Sequence, residues 1–73
     1  MVNERIAKYM RVTAEFTVRP YPGMEKTYFP DDTIRVVGAD FEADTVEFEV
    51  GSARRIHCMP LGEFMAATAP TRL

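Results

Sequence analysis

The sequence predicts an all-β fold: a small barrel, or a rolled five-stranded antiparallel sheet, with one short helical turn near the C-terminus. Three observations predict it. Apolar and polar residues alternate at a period of two over much of the chain, which puts every second side chain on one face of a strand. Gly, Pro and Asp residues interrupt that alternation every ~8–12 residues, the interval of small barrels and sandwiches. The alternation ends at Pro60, where Leu61, Phe64 and Met65 take up helical spacing.

Asn3, at the start of the chain, can cap a short first turn, with Ile6 and Tyr9 or Met10 on one side. Met10, Val12, Ala14, Phe16 and Val18 then alternate with Arg11, Thr13, Glu15, Thr17 and Arg19, which predicts one long strand over residues 9–19. Pro20-Tyr21-Pro22-Gly23 ends it, because two prolines and a glycine do not continue a central strand. Residues 24–30 read as a loop or an irregular second strand, and Pro30-Asp31-Asp32 as a turn. Residues 33–37 form a strand with Ile34 and Val36 inward, then a hairpin connection spans 38–44. Residues 45–50 give the clearest strand, with Val46, Phe48 and Val50 inward and Glu47 and Glu49 outward. Gly51-Ser52-Ala53 reads as a tight turn, and 54–59 as a strand with Ile56 and Cys58 inward and Arg55 and His57 outward. Pro70 stops any element that reaches Ala69, and residues 1–4 and 69–73 read as frayed ends.

Composition narrows the function. The chain has 73 residues, 47% hydrophobic and 27% charged, which fits one folded domain over 1–73 with an ordered core at about 9–69. So small a core supplies only ~3–5 kcal/mol, so self-association or a partner is expected to add to it. A formal net charge of -2 disfavours nucleic-acid binding through bulk charge. One Cys forms no internal disulfide, and one His with one Cys forms no structural zinc site, so no metal or other cofactor is expected. The chain has no apolar run of the ~18 residues a membrane span needs. Residues 1–5 lack the pattern of a signal peptide, and with the free Cys this predicts a cytoplasmic location.

The order of elements resembles the SH3-like barrels. In these a long loop comes after the first strand, three strands form a meander, and a short helical turn precedes a brief last strand. Phe29-Pro30-Asp31-Asp32-Thr33-Ile34-Arg35-Val36 resembles their loop-to-strand entry. The resemblance spans residues 9–69 and implies a layout, not an activity. The plasmid-borne dihydrofolate reductases are single barrels of this length, but Arg55-Ile56-His57-Cys58-Met59 before Pro60 lacks their Gln-Ile-Tyr. That resemblance implies only that such a barrel can work as an oligomer.

No residue set reads as catalytic. His57 and Cys58 are adjacent, so on a strand they point to opposite faces and cannot act as base and nucleophile. Asp31, Asp32, Asp40, Glu42 and Asp44 sit in turns without the spacing of a calcium loop. Tyr21, Met24, Tyr28 and Phe29 are aromatic or thioether side chains that the strand faces do not need for a core. Arg35, Glu47, Glu49 and Arg55 fall on the outer side of the meander as a mixed-charge flank. These eight residues define the expected partner-binding set of a non-enzymatic interaction module. Such a module would be an adaptor or inhibitor of the kind phages and mobile elements encode, and it would bind a protein or a second copy. The alternatives are a nucleic-acid-binding barrel using Arg54 and Arg55, and an oligomeric enzyme with an inter-subunit site near His57.

Overall fold

The computed structural model describes residues 6–51 and 54–71. Seven strands and one helix succeed one another: β1 (Tyr9–Val12), β2 (Phe16–Tyr21), β3 (Met24–Tyr28), β4 (Thr33–Asp40), β5 (Thr45–Val50), β6 (Arg55–Pro60), α1 (Leu61–Ala66) and β7 (Thr68–Pro70). The all-β expectation holds. The strands make a five-stranded sheet in the order β6-β5-β4-β1-β7 and a separate β2-β3 ribbon, with every pairing antiparallel. Both sheets are open: among the described residues no ladder joins β6 to β7.

β4 rolls the larger sheet. Its first half pairs with β1, Ile34 opposite Met10, and its second half pairs with β5, Ala39 opposite Val46. The register shifts between Val36 and Gly38, where the strand passes from one neighbour to the other. A bulge of this kind bends a strand and sharpens its twist.

The long strand expected over 9–19 is two strands. The inward parity persists, since Met10, Val12 and Val18 are buried and Phe16 packs against the core. Residues 13–15 leave the ladder, and the Thr13 and Ala14 amides donate to the Ala67 carbonyl. The chain thereby turns from the sheet into the ribbon. Pro20 does not end β2; the ladder shifts between Val18 and Tyr21, which accommodates a residue with no N–H to donate. The ribbon turns at Pro22-Gly23, with Gly23 at φ +90°. The expected Asn3 cap and the Ser52-Ala53 part of the 51–53 turn lie outside the described residues, and residues 6–8 are not helical. Ala69 and Pro70, expected to fray, pair in β7 with Arg11 and Met10.

Four rings tie the parts together. Phe16 stacks on Tyr28 at 5.2 Å and meets Phe64 edge-on at 6.5 Å. Phe48 meets Tyr28 edge-on at 6.2 Å and stacks on Phe64 at 5.2 Å. The ribbon, the meander and the helix thus share one aromatic centre, each pair adding roughly 0.5–1.5 kcal/mol beyond burial. Pro60, expected as the first helical residue, instead ends β6 with extended backbone (φ -59°, ψ 129°), so α1 begins at Leu61 and its first turn is capped from elsewhere. Asp44 accepts from the Leu61 amide through its carbonyl and from the Gly62 amide through Oδ1, both at 2.9 Å. Thr68 is buried, and its hydroxyl donates to the Phe64 carbonyl.

β6 has the opposite phase to the one expected. Ile56 and Cys58 are exposed, whereas His57 and Met59 are half-buried on the core side. The cause is the turn. A three-residue turn at 51–53 would pair Val50 with Arg54 and send 54, 56 and 58 inward. The observed connection takes Arg54 into the turn at φ +54°, its amide donating to the Gly51 carbonyl, and pairs Val50 with Arg55. A slip of one residue exchanges the faces of a whole strand.

Candidate binding surfaces

The eight sequence-derived residues fall into four places. Tyr21, Met24 and Arg55 come together at the tip of the β2-β3 ribbon. There the Arg55 guanidinium lies over the Tyr21 ring, 4.6 Å from its centroid. Met24, opposite Tyr21 in the ladder, packs partly buried against the core, its Cε 3.5 Å from where a Cβ on Gly51 would stand. Gly51 has φ +75°, a backbone conformation that favours glycine, whereas a Cβ there would meet Met24 only at ordinary contact distance. Arg55 faces this patch because Arg54 belongs to the turn; with a three-residue turn it would lie on the other side of the sheet, as the sequence had suggested.

Arg35, Glu47 and Glu49 lie on the outer side of the sheet, as expected. The register aligns Tyr9, Arg35, Glu49 and Ile56 in one row across β1, β4, β5 and β6. The Arg35 guanidinium meets Glu49 Oε1 at 3.3 Å. The next row sets Gly38 and Cys58 beside Glu47. This face therefore holds Ile56, 49% exposed, in place of the second arginine that the sequence suggested. Val37, at the bulge, is 48% exposed. Sequence reasoning missed Ile56 and Cys58 as surface residues of this face; it placed Val37 outward but did not count it in the site. The signal that could have found the first two is the length of the 51–54 turn.

Tyr28 and Phe29 separate. Tyr28 is 5% exposed and belongs to the aromatic centre, so it offers no docking side chain. Burial, with the Asp32 carboxylate as a smaller cause, pushes its phenol up to about 12. Phe29 is 53% exposed beside the β3-β4 turn, where its amide donates to Asp32 Oδ2.

His57 lies beneath the sheet, edge-on to Phe48 at 5.6 Å. Burial holds its imidazole below the ordinary value of 6.5. Cys58 is on the other face of the same strand. Asp40 serves its own turn, with Oδ1 accepting from the Glu42 and Ala43 amides. Asp31 faces Arg11 at 3.6 Å. Among the described residues no group of three or more His, Cys, Asp or Glu side chains could hold a metal ion. No helix there is long and apolar enough to cross a membrane. No family model, curated protein or solved structure matches the chain.

Proposed function

We propose that this chain is a small protein-interaction module of SH3-like layout that takes a partner at the ribbon tip and on the outer sheet face. One observation carries the reading: large apolar side chains stay at the surface although the core is complete without them. Met10, Val12, Val46, Phe48, Val50 and Phe64 are fully buried, while Tyr21, Val37 and Ile56 are 41–49% exposed, with Arg55 over Tyr21 and Glu49 opposite Ile56. Aromatic and aliphatic anchors rimmed by charge are the composition of a protein-binding patch. The layout is supported by the element order: one strand, a long hairpin excursion, a three-strand meander, a helical turn, and a last strand returning to the first. An adaptor or inhibitor role in the cytoplasm belongs to the same proposal, as does self-association as another use of these surfaces.

Photo-crosslinking tests it. A tagged chain carrying a photoreactive residue in place of Ile56 or Val37 captures a defined protein from lysate, and the same residue in place of Glu63 on α1 does not. Capture survives nuclease and high salt, and Tyr21→Ser removes it without changing the far-ultraviolet spectrum. A crosslink between two baits assigns the surface to self-association; no crosslink at all, or capture of nucleic acid that leaves with salt, contradicts the reading.

A further inference from the structure

The described arginines divide in two. Arg11, Arg19 and Arg35 each face a carboxylate of this chain: Asp31 at 3.6 Å, Glu25 at 2.9 Å and Glu49 at 3.3 Å. Arg54 and Arg55 face none among the described residues. They are neighbours at one turn, both are exposed, and Arg55 is held against the Tyr21 ring. Each guanidinium carries five N–H donors in a planar fork that matches a carboxylate. Stacking on tyrosine takes up a face of the Arg55 group while its edge donors stay free, and it reduces the motion that binding would otherwise have to arrest.

We infer that the Arg54-Arg55 pair, with Tyr21 and Met24, is a docking site for an acidic protein segment that carries aliphatic side chains between its carboxylates. The inference rests on the interaction-module reading and specifies the chemistry of the partner. Charge complementarity supplies the two forks with carboxylates, and Tyr21 and Met24 supply apolar contact. Nucleic acid fits less well. A single strand needs a basic track along its backbone; on the ribbon, Arg19 is already paired with Glu25 and Lys26 lies over the Tyr28 ring, and no Lys or Arg occupies residues 36–53 or 56–71. Three acids, Asp40, Glu42 and Asp44, stand at the opposite end of β5 from the arginines.

The test is an amide-shift titration of the full chain with two probes of matched charge: a blocked peptide alternating glutamate with leucine, and an oligothymidylate. The peptide is expected to shift Tyr21, Met24, Arg54 and Arg55 saturably. The double change Arg54→Gln, Arg55→Gln weakens it by about tenfold or more, the scale of lost charge-assisted hydrogen bonds. Arg11→Gln, which removes an arginine that already faces Asp31 at 3.6 Å and belongs to neither proposed surface, leaves the affinity unchanged. Peptide shifts that are absent, or that persist in the double variant, overturn the inference. Tighter binding of the oligothymidylate at the same patch overturns it in favour of nucleic acid. Shifts there on concentrating the protein alone overturn it in favour of a second copy. If the double variant still captures the crosslinked partner, the interaction-module reading stands and this inference alone fails.

Discussion

β5 and β6 are neighbouring strands of six residues each, paired from Thr45–Pro60 to Val50–Arg55. β5 buries Val46, Phe48 and Val50 completely, whereas β6 buries no side chain fully. β5 lies between two strands, under the aromatic centre. β6 lies at the end of the sheet, where both faces reach solvent. The difference teaches where stability and recognition reside. A central strand can devote its inward face to the core alone. An edge strand leaves side chains such as Arg55 and Ile56 for contact with something else. Edges are also where unwanted pairing starts, and the Arg at one end of β6 and the Pro at the other limit it.

The comparison can be broken most severely in β5. Phe48→Ala removes the ring shared by Tyr28, Phe64 and His57, and such changes cost about 3–5 kcal/mol. A domain of this size has little more than that, so the variant should be largely unfolded at 25 °C by circular dichroism and urea titration. Asp44→Ala comes next. It strips the first turn of α1 of its side-chain acceptor and puts a non-glycine residue lacking a carboxylate at φ +55°. A loss of ~1 kcal/mol is expected in thermal melts, the usual cost of a lost cap.

His57 sharpens the comparison through pH. Burial lowers its folded-state value below 6.5, so the unfolded chain takes up the proton first. Its contribution to stability is therefore full above about 6.5 and is lost as pH falls through that value toward the folded one. Urea midpoints should decline between pH 7.5 and pH 5, and the decline should shrink in His57→Gln. The smallest effect belongs to Ile56→Ser, on the exposed side of β6. Its stability should change within about 0.5 kcal/mol, as at other surface positions, while partner capture falls.

The same two strands explain what could be read in advance. In β5, Val-Glu-Phe-Glu-Val contrasts so strongly from residue to residue that only one phase buries the apolar set. In β6, Ile and Cys oppose His and Met, and neither set is decisively apolar. The phase was then fixed by whether Arg54 belonged to the turn or to the strand. The break at 13–15 was invisible for a related reason, since the inward parity is the same on both sides of it. Tyr21 and Met24 were legible as surplus side chains and Arg55 as part of a charged flank. Their meeting depends on the ribbon packing beside β6, a contact that no local pattern encodes. That Tyr28 fills the core and Phe29 does not was likewise decided by packing, with Phe16 and Phe48 as the partners.

The central claim is that β6 turns Ile56 and Cys58 outward and so completes the outer face. The most direct measurement is the rate at which the Cys58 thiol reacts with a chromogenic disulfide reagent under native conditions, compared with its rate in urea. An exposed thiol reacts at a rate close to that of the unfolded chain, with no change in the far-ultraviolet spectrum. Protection that is lifted only in step with unfolding would mean that Cys58 faces the core and would contradict the account.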